Sequence, residues 1–101
     1  MDDIFDALAN VHRRRLLVAL LGHNPQQDTV RTPEDAHGGE KAVETLQKEL
    51  YHTHLPKLEQ AGFISWDQET REVRKGPRFD EIRPLLELMR DHADELPNDW
   101  L

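Results

Sequence analysis

Residues 43–66, VETLQKELYHTHLPKLEQAGFISW, constrain the fold more than any other stretch of the chain. Val43, Leu46, Leu50, Leu55 and Leu58 recur at intervals of three to five, which places them on one stripe of a helix. Pro56 falls inside that helix, where it removes a backbone bond and crowds the preceding turn at a cost of about 3 kcal/mol. A kink or local break is therefore expected near His54-Leu55. Gly62 supplies the residue best able to take a positive φ just past the last turn, so the helix should stop there. Phe63, Ile64 and Trp66 follow at once as a β-branched and aromatic run suited to a strand.

A chain of 101 residues fits one domain, residues 1–101, large enough to bury roughly two thirds of its unfolded surface without staples. It has no cysteine, which excludes disulfides and thiolate metal sites and accords with a reducing cytoplasm. The longest apolar run, Leu16 to Leu21, is far short of the roughly 20 residues that span a bilayer, and no basic-then-apolar leader opens the chain. A soluble, cytoplasmic protein is expected. Twenty acidic against thirteen basic residues leave a net charge of -7, spread along the chain rather than gathered in a tail. Such acidity suits either a salt-loving source or an ordinary acidic cytosolic domain. It also argues against nucleic acid unless cations are concentrated locally, because phosphate neutralisation drives most of that affinity.

Asp2 or Asp3 can cap a first helix whose apolar face is Ile4, Phe5, Leu8 and Ala9. Asn10 interrupts it, and Val11, Leu16, Leu17, Leu20 and Leu21 carry a second helix to Gly22. The basic run His12 to Arg15 sits where the helix dipole disfavours cations, so something beyond local helix energetics should retain it; pairing with Asp2, Asp3 and Asp6 is one such source. Residues 24–28 read as a loop, Thr29 to Arg31 as a short edge strand, and Pro33 to His37 as a helical turn cut off by Gly38-Gly39. After the central helix, Phe63 to Asp67 and Glu72 to Lys75 form a hairpin closed by Gly76-Pro77. Ile82, Leu85, Leu86, Met89, Ala93 and Leu96 give a last helix, about 80–96, capped by Asp80 and stopped by Pro97. The fold class expected is mainly α with a small β-hairpin.

That element order is the order of a winged helix-turn-helix domain, and two blocks of residues match one family. His54-Leu55, Leu58 and Ala61-Gly62-Phe63-Ile64 resemble the H-L-x-x-L-x-x-A-G-L-[IV] signature that ends the recognition helix and opens the wing in ArsR-like transcriptional regulators. Phe5-Asp6-Ala7-Leu8-Ala9-Asn10 followed by Arg13-Arg14-Arg15-Leu16-Leu17 resembles the opening of the same proteins. The proline variant, Tyr51-His52 to Lys57-Leu58, looks closest to small haloarchaeal winged-helix proteins. The resemblance covers most of residues 4–66. It implies a recognition helix at about 43–61, a wing at about 63–76 and a homodimer made through the first and last helices. Ile4, Phe5, Leu8, Ile82, Leu85, Leu86, Met89 and Ala93 are then the interface candidates. The chain departs from the family in its shortened brace helix before the recognition helix and in lacking the cysteine motifs of the metal-sensing members.

For a helix entering a major groove, the polar residues near its N-terminal half would face base edges: Thr45, Gln47, Lys48, Tyr51 and His52. Arg71, Arg74, Lys75 and Arg78, set against Glu72, make a basic hairpin inside an acidic protein, where phosphate contacts are expected. His52 and His54 are two apart and point in different directions on a helix, and the other histidines are scattered, so no metal site or cofactor is expected. Ser65, the only serine, lies in a strand without a nucleophile-elbow context, and no glycine-rich phosphate loop is present, so no enzymatic activity is expected. The partner expected is double-stranded DNA, with a protein partner as the alternative.

Overall fold

The structure is a computed structural model, and it describes residues 2–28 and 39–101, with side chains from residue 44 onward in the second segment. The strand expected at Thr29 to Arg31, the turn at Pro33 to His37 and the side chain of Val43 lie outside the described residues. Among the described residues the chain is mainly helical with a small three-stranded antiparallel sheet, an α+β arrangement. No helix among them is long and apolar enough to cross a membrane.

Helix α1 (Asp2–Leu8) ends before Asn10, whose Oδ1 accepts the backbone N–H of His12 at 2.8 Å and of Arg13 at 3.3 Å and so starts α2 (Val11–Gly22). The break at Asn10 thus makes two helices. Arg13 and Arg14 are held by carbonyls of the helix before them rather than by the carboxylates of Asp2, Asp3 and Asp6, while Arg14 also donates to the Trp100 carbonyl and Arg15 to a Leu101 oxygen. Arg13 donates to the carbonyls of Ala7 (3.1 Å) and Asp6 (2.8 Å), and Arg14 to that of Leu8 (2.8 Å). Cations at the C-terminal carbonyls of α1 are where the dipole favours them. Asp6 pairs instead with Lys57 at 2.9 Å, and Asp3 with Arg78 at 2.9 Å.

Residues 24–28 are not wholly a loop. Gln26–Gln27 form β1, an edge strand antiparallel to β3 (Glu72–Lys75), which also pairs with β2 (Ile64–Asp67), so the order is β1-β3-β2. Buried Gln26 is satisfied by donating Nε2–H to the carbonyls of Ala19 and His23.

The central helix runs as α3 (Gly39–Glu49), a π-helical turn (Leu50–His54) and α4 (Leu55–Gln60). The widened turn is the break expected from Pro56, which has no N–H and crowds the carbonyl four residues back; the N–H of Leu55 reaches Leu50 instead. At the far end Gly62 has φ +87, its N–H bonds Glu59 and the N–H of Phe63 bonds Leu58, with Phe63 and Leu58 fully buried against the core. This is a Schellman stop, and it delivers the chain into β2.

Helix α5 is Phe79–Asp91, well short of the end expected at 96, with a separate 3-10 turn at Ala93–Glu95. Arg78, not Asp80, is its cap residue, and Asp80 and Glu81 lie in the first turn, where the dipole favours acids. Acidic Asp94 and Glu95 would sit at the unfavourable end of a longer helix. Leu17, Leu20, Leu55, Leu58, Phe63, Val73, Phe79, Ile82 and Leu86 form the centre of the core.

Candidate nucleic-acid interface

Gln47 and Tyr51, four apart on the central helix, turn toward Asp28, the residue just after β1. Asp28 is 1% exposed, an uncommon place for a carboxylate unless its oxygens are bonded. They are. Tyr51 donates its hydroxyl to Oδ1 at 3.0 Å, Trp66 of β2 donates Nε1–H to Oδ2 at 3.1 Å, and Arg71 donates Nε–H to Oδ1 at 3.3 Å. Gln47 donates to the Asp28 carbonyl at 2.8 Å, and the Asp28 N–H bonds the Arg71 carbonyl at 3.0 Å. Arg71 closes the circuit by donating Nη2–H to the Tyr51 oxygen at 2.7 Å, and the Tyr51 and Trp66 rings lie 5.4 Å apart. One buried carboxylate thereby fastens the hairpin turn and β2 to the flank of the central helix.

The hairpin turn lacks an Asn-Gly pair because its left-handed position is taken by Arg71 itself, at φ 61. Asp67 Oδ1 accepts the N–H groups of Glu69 and Thr70, which shapes the turn, and the bonds to Asp28 and Tyr51 hold Arg71 in that sparse region. The Tyr51 hydroxyl first, and then Asp28, favour the charged guanidinium and raise its pKa above the ordinary arginine value.

The nine residues expected at an interface therefore divide. Thr45, Lys48 and His52 are exposed on the central helix, and Lys48 makes no ion pair with a described residue. Gln47, Tyr51 and Arg71 belong to the Asp28 cluster. Arg74 is exposed but pairs with Glu72 at 2.9 Å, and Lys75 lies over the Phe79 ring, its Nζ 5.4 Å from the centroid. Arg78 is an internal staple: it pairs with Asp3 and Glu81 and donates to the Ala61 carbonyl, joining α1, α5 and the Gly62 corner. Its pKa is raised by Glu81 first and then Asp3. Counting the turn acids Asp67 and Glu69 with Glu72, strands and turn from 64 to 75 carry three acids against three bases, so the hairpin is neutral rather than basic.

The expected dimer residues divide as well. Ile4, Leu8, Ile82 and Leu86 are buried in the chain's own core, while Leu85 and Met89 pack at its margin and Ala93 is exposed. Phe5, at 61% exposure, remains outward, and Leu88, at 57%, joins it from a position that periodicity did not select. Asp28 is the site residue that sequence reasoning missed. Its partners are brought to it by the fold, so no local pattern marks it.

A family model described as a domain of unknown function, DUF7344, matches residues 5–74. The chain belongs to the DUF7344 family. The segment that defines DUF7344 here runs from α1 through β3 and so contains the whole Asp28 cluster, whereas Arg78 and α5 lie beyond it. No curated protein and no solved structure matches the chain.

Proposed function

We propose that this DUF7344 chain is a DNA-binding transcriptional regulator of the ArsR-like winged helix-turn-helix type, acting in the cytoplasm as a homodimer. The observation that carries this reading is the Asp28 cluster, which fastens the hairpin to the central helix while Thr45, Lys48 and His52 stay exposed on that helix. In this reading the central helix enters the major groove, Lys48 and His52 meet base edges, and Arg74 and Lys75 take phosphates. Arg74 must exchange Glu72 for a phosphate oxygen, an exposed pair that costs little to break. Phe5, Leu85, Leu88 and Met89 supply the apolar surface for a second copy. The overall acidity suits a salt-loving source, where a Debye length of about 3 Å or less leaves only close contacts effective.

The neutral hairpin favours a second reading, a winged-helix module that binds another protein. Alanine at both Arg74 and Lys75 separates the two. For the regulator, the double variant weakens binding about equally on all duplexes and flattens the salt dependence by roughly one unit of log-log slope for each phosphate the hairpin no longer neutralises. Unchanged affinity and slope in fluorescence anisotropy would remove the hairpin from DNA recognition.

A further inference from the structure

His54 closes the π-helical turn and is 6% exposed, and Arg13 of α2, 7% exposed, directs Nη1 to its Nδ1 at 3.0 Å. Arginine only donates, so Nδ1 must carry a lone pair and the proton of the neutral ring sits on Nε2. That Nε2 is enclosed and has no partner among the described residues. Arg13 Nε and Nη2 donate to the Ala7 and Asp6 carbonyls, and no ion pair joins its guanidinium to a carboxylate of the described residues. The His12 ring lies 6.3 Å away, tilted by 37°. The charged and titratable groups facing His54 are His12 and Arg13 from α2, Glu49 from α3 and Lys57 from α4; Arg15 acts on His12, and the Asp6 carboxylate of α1, paired with Lys57, also acts on Arg13. Cations outnumber acids around a buried base.

We propose that the Arg13–His54 contact is a proton-operated latch, closed while the imidazole is neutral and opened on acidification, which frees the π turn of the central helix from α2. Protonation removes the acceptor lone pair and sets two buried cations against each other. Burial first, then Arg13 and His12, hold the His54 pKa below its ordinary 6.5, with Glu49 opposing. An unfolded chain therefore binds this proton before the folded one does. The latch contributes fully above about pH 6.5 and is lost progressively as pH falls below that toward the folded value. The latch concerns the junction alone and is independent of what the helix binds.

The test is thermal unfolding of the full chain from pH 7.5 to 5, with His54→Gln, which offers Arg13 an acceptor that cannot charge, and His12→Gln as comparison. Wild type is expected to lose melting temperature as pH falls below about 6.5, with one proton's worth, roughly 5–10 °C per pH unit, as the ceiling; His54→Gln should lose most of that slope and His12→Gln keep the larger part of it. The slope, not the baseline, is the readout, so a less stable variant still decides. Nitrogen NMR of the wild-type ring is the second measurement. It should show Nε2–H at neutral pH, a midpoint below 6.5, and loss of amide exchange protection at 50–58 before α5. A His54 midpoint at or above 6.5, or a slope retained in His54→Gln, would overturn the latch.

Discussion

Alanine at position 76 is expected to lower the melting temperature by more than about 10 °C, or to prevent folding. A Cβ built on Gly76 lies 2.6 Å from the Gly62 carbonyl oxygen and 2.6 Å from the Ile64 nitrogen. Both are backbone atoms, and neither can rotate away. The approach is close because the chain leaving β3 crosses the chain entering β2: Gly76 N–H donates to Phe63 at 2.9 Å, and Arg78 N–H to Gly62 at 2.7 Å. Overpacking at such a crossing costs about 3 kcal/mol or more, and each kcal/mol shifts the midpoint of a domain this size by about 4–8 °C. Calorimetry or circular dichroism of Gly76→Ala reads the result, and a midpoint within about 3 °C of wild type, the shift of a neutral surface change, would show that the crossing yields.

Replacing Asp28 by alanine is expected to cost about 2–4 kcal/mol, because it strips the acceptor from the Tyr51 hydroxyl and the Trp66 indole N–H at a site water reaches poorly. The Asp28→Asn variant keeps one acceptor oxygen and should cost about half as much. Losing the carboxylate also releases Arg71 from its left-handed position at φ 61, so the hairpin turn should gain amide exchange ahead of α5. Urea titration with hydrogen exchange measures both effects. An Asp28→Ala protein as stable as wild type, with a protected turn, would mean that the cluster does not hold the hairpin.

The parts of the fold legible in the sequence are those set by neighbours in the chain. Pro56 disturbs the turn before it, Gly62 stops its own helix, Asn10 breaks the first helix from the second, and the strands at 64–67 and 72–75 follow from side chains within a few positions. The rest depends on partners far away. Gln26–Gln27 become a strand only because β3 offers an edge, and two glutamines carry no β signal of their own. Asp28 draws its donors from residues 51, 66 and 71. The Arg13–His54 bond spans 41 positions. The apolar stripe of α5 was legible, but not how it would be shared: Ile82 and Leu86 face the chain's own core, and the outward face is marked by Leu88. The basic hairpin fared worst, since Asp67 and Glu69 of its turn cancel the excess and Arg78 serves the interior.

Fluorescence anisotropy of a labelled duplex from upstream of the protein's own gene, titrated with wild type across a series of salt concentrations, tests the regulatory reading most directly. A dimer placing two cations per protomer on phosphates should bind saturably, with affinity falling along a log-log line of slope roughly −3 to −4. Absence of saturable binding wherever the protein is folded, or an interaction that holds or tightens as salt rises, would contradict DNA recognition and point to the protein-binding module.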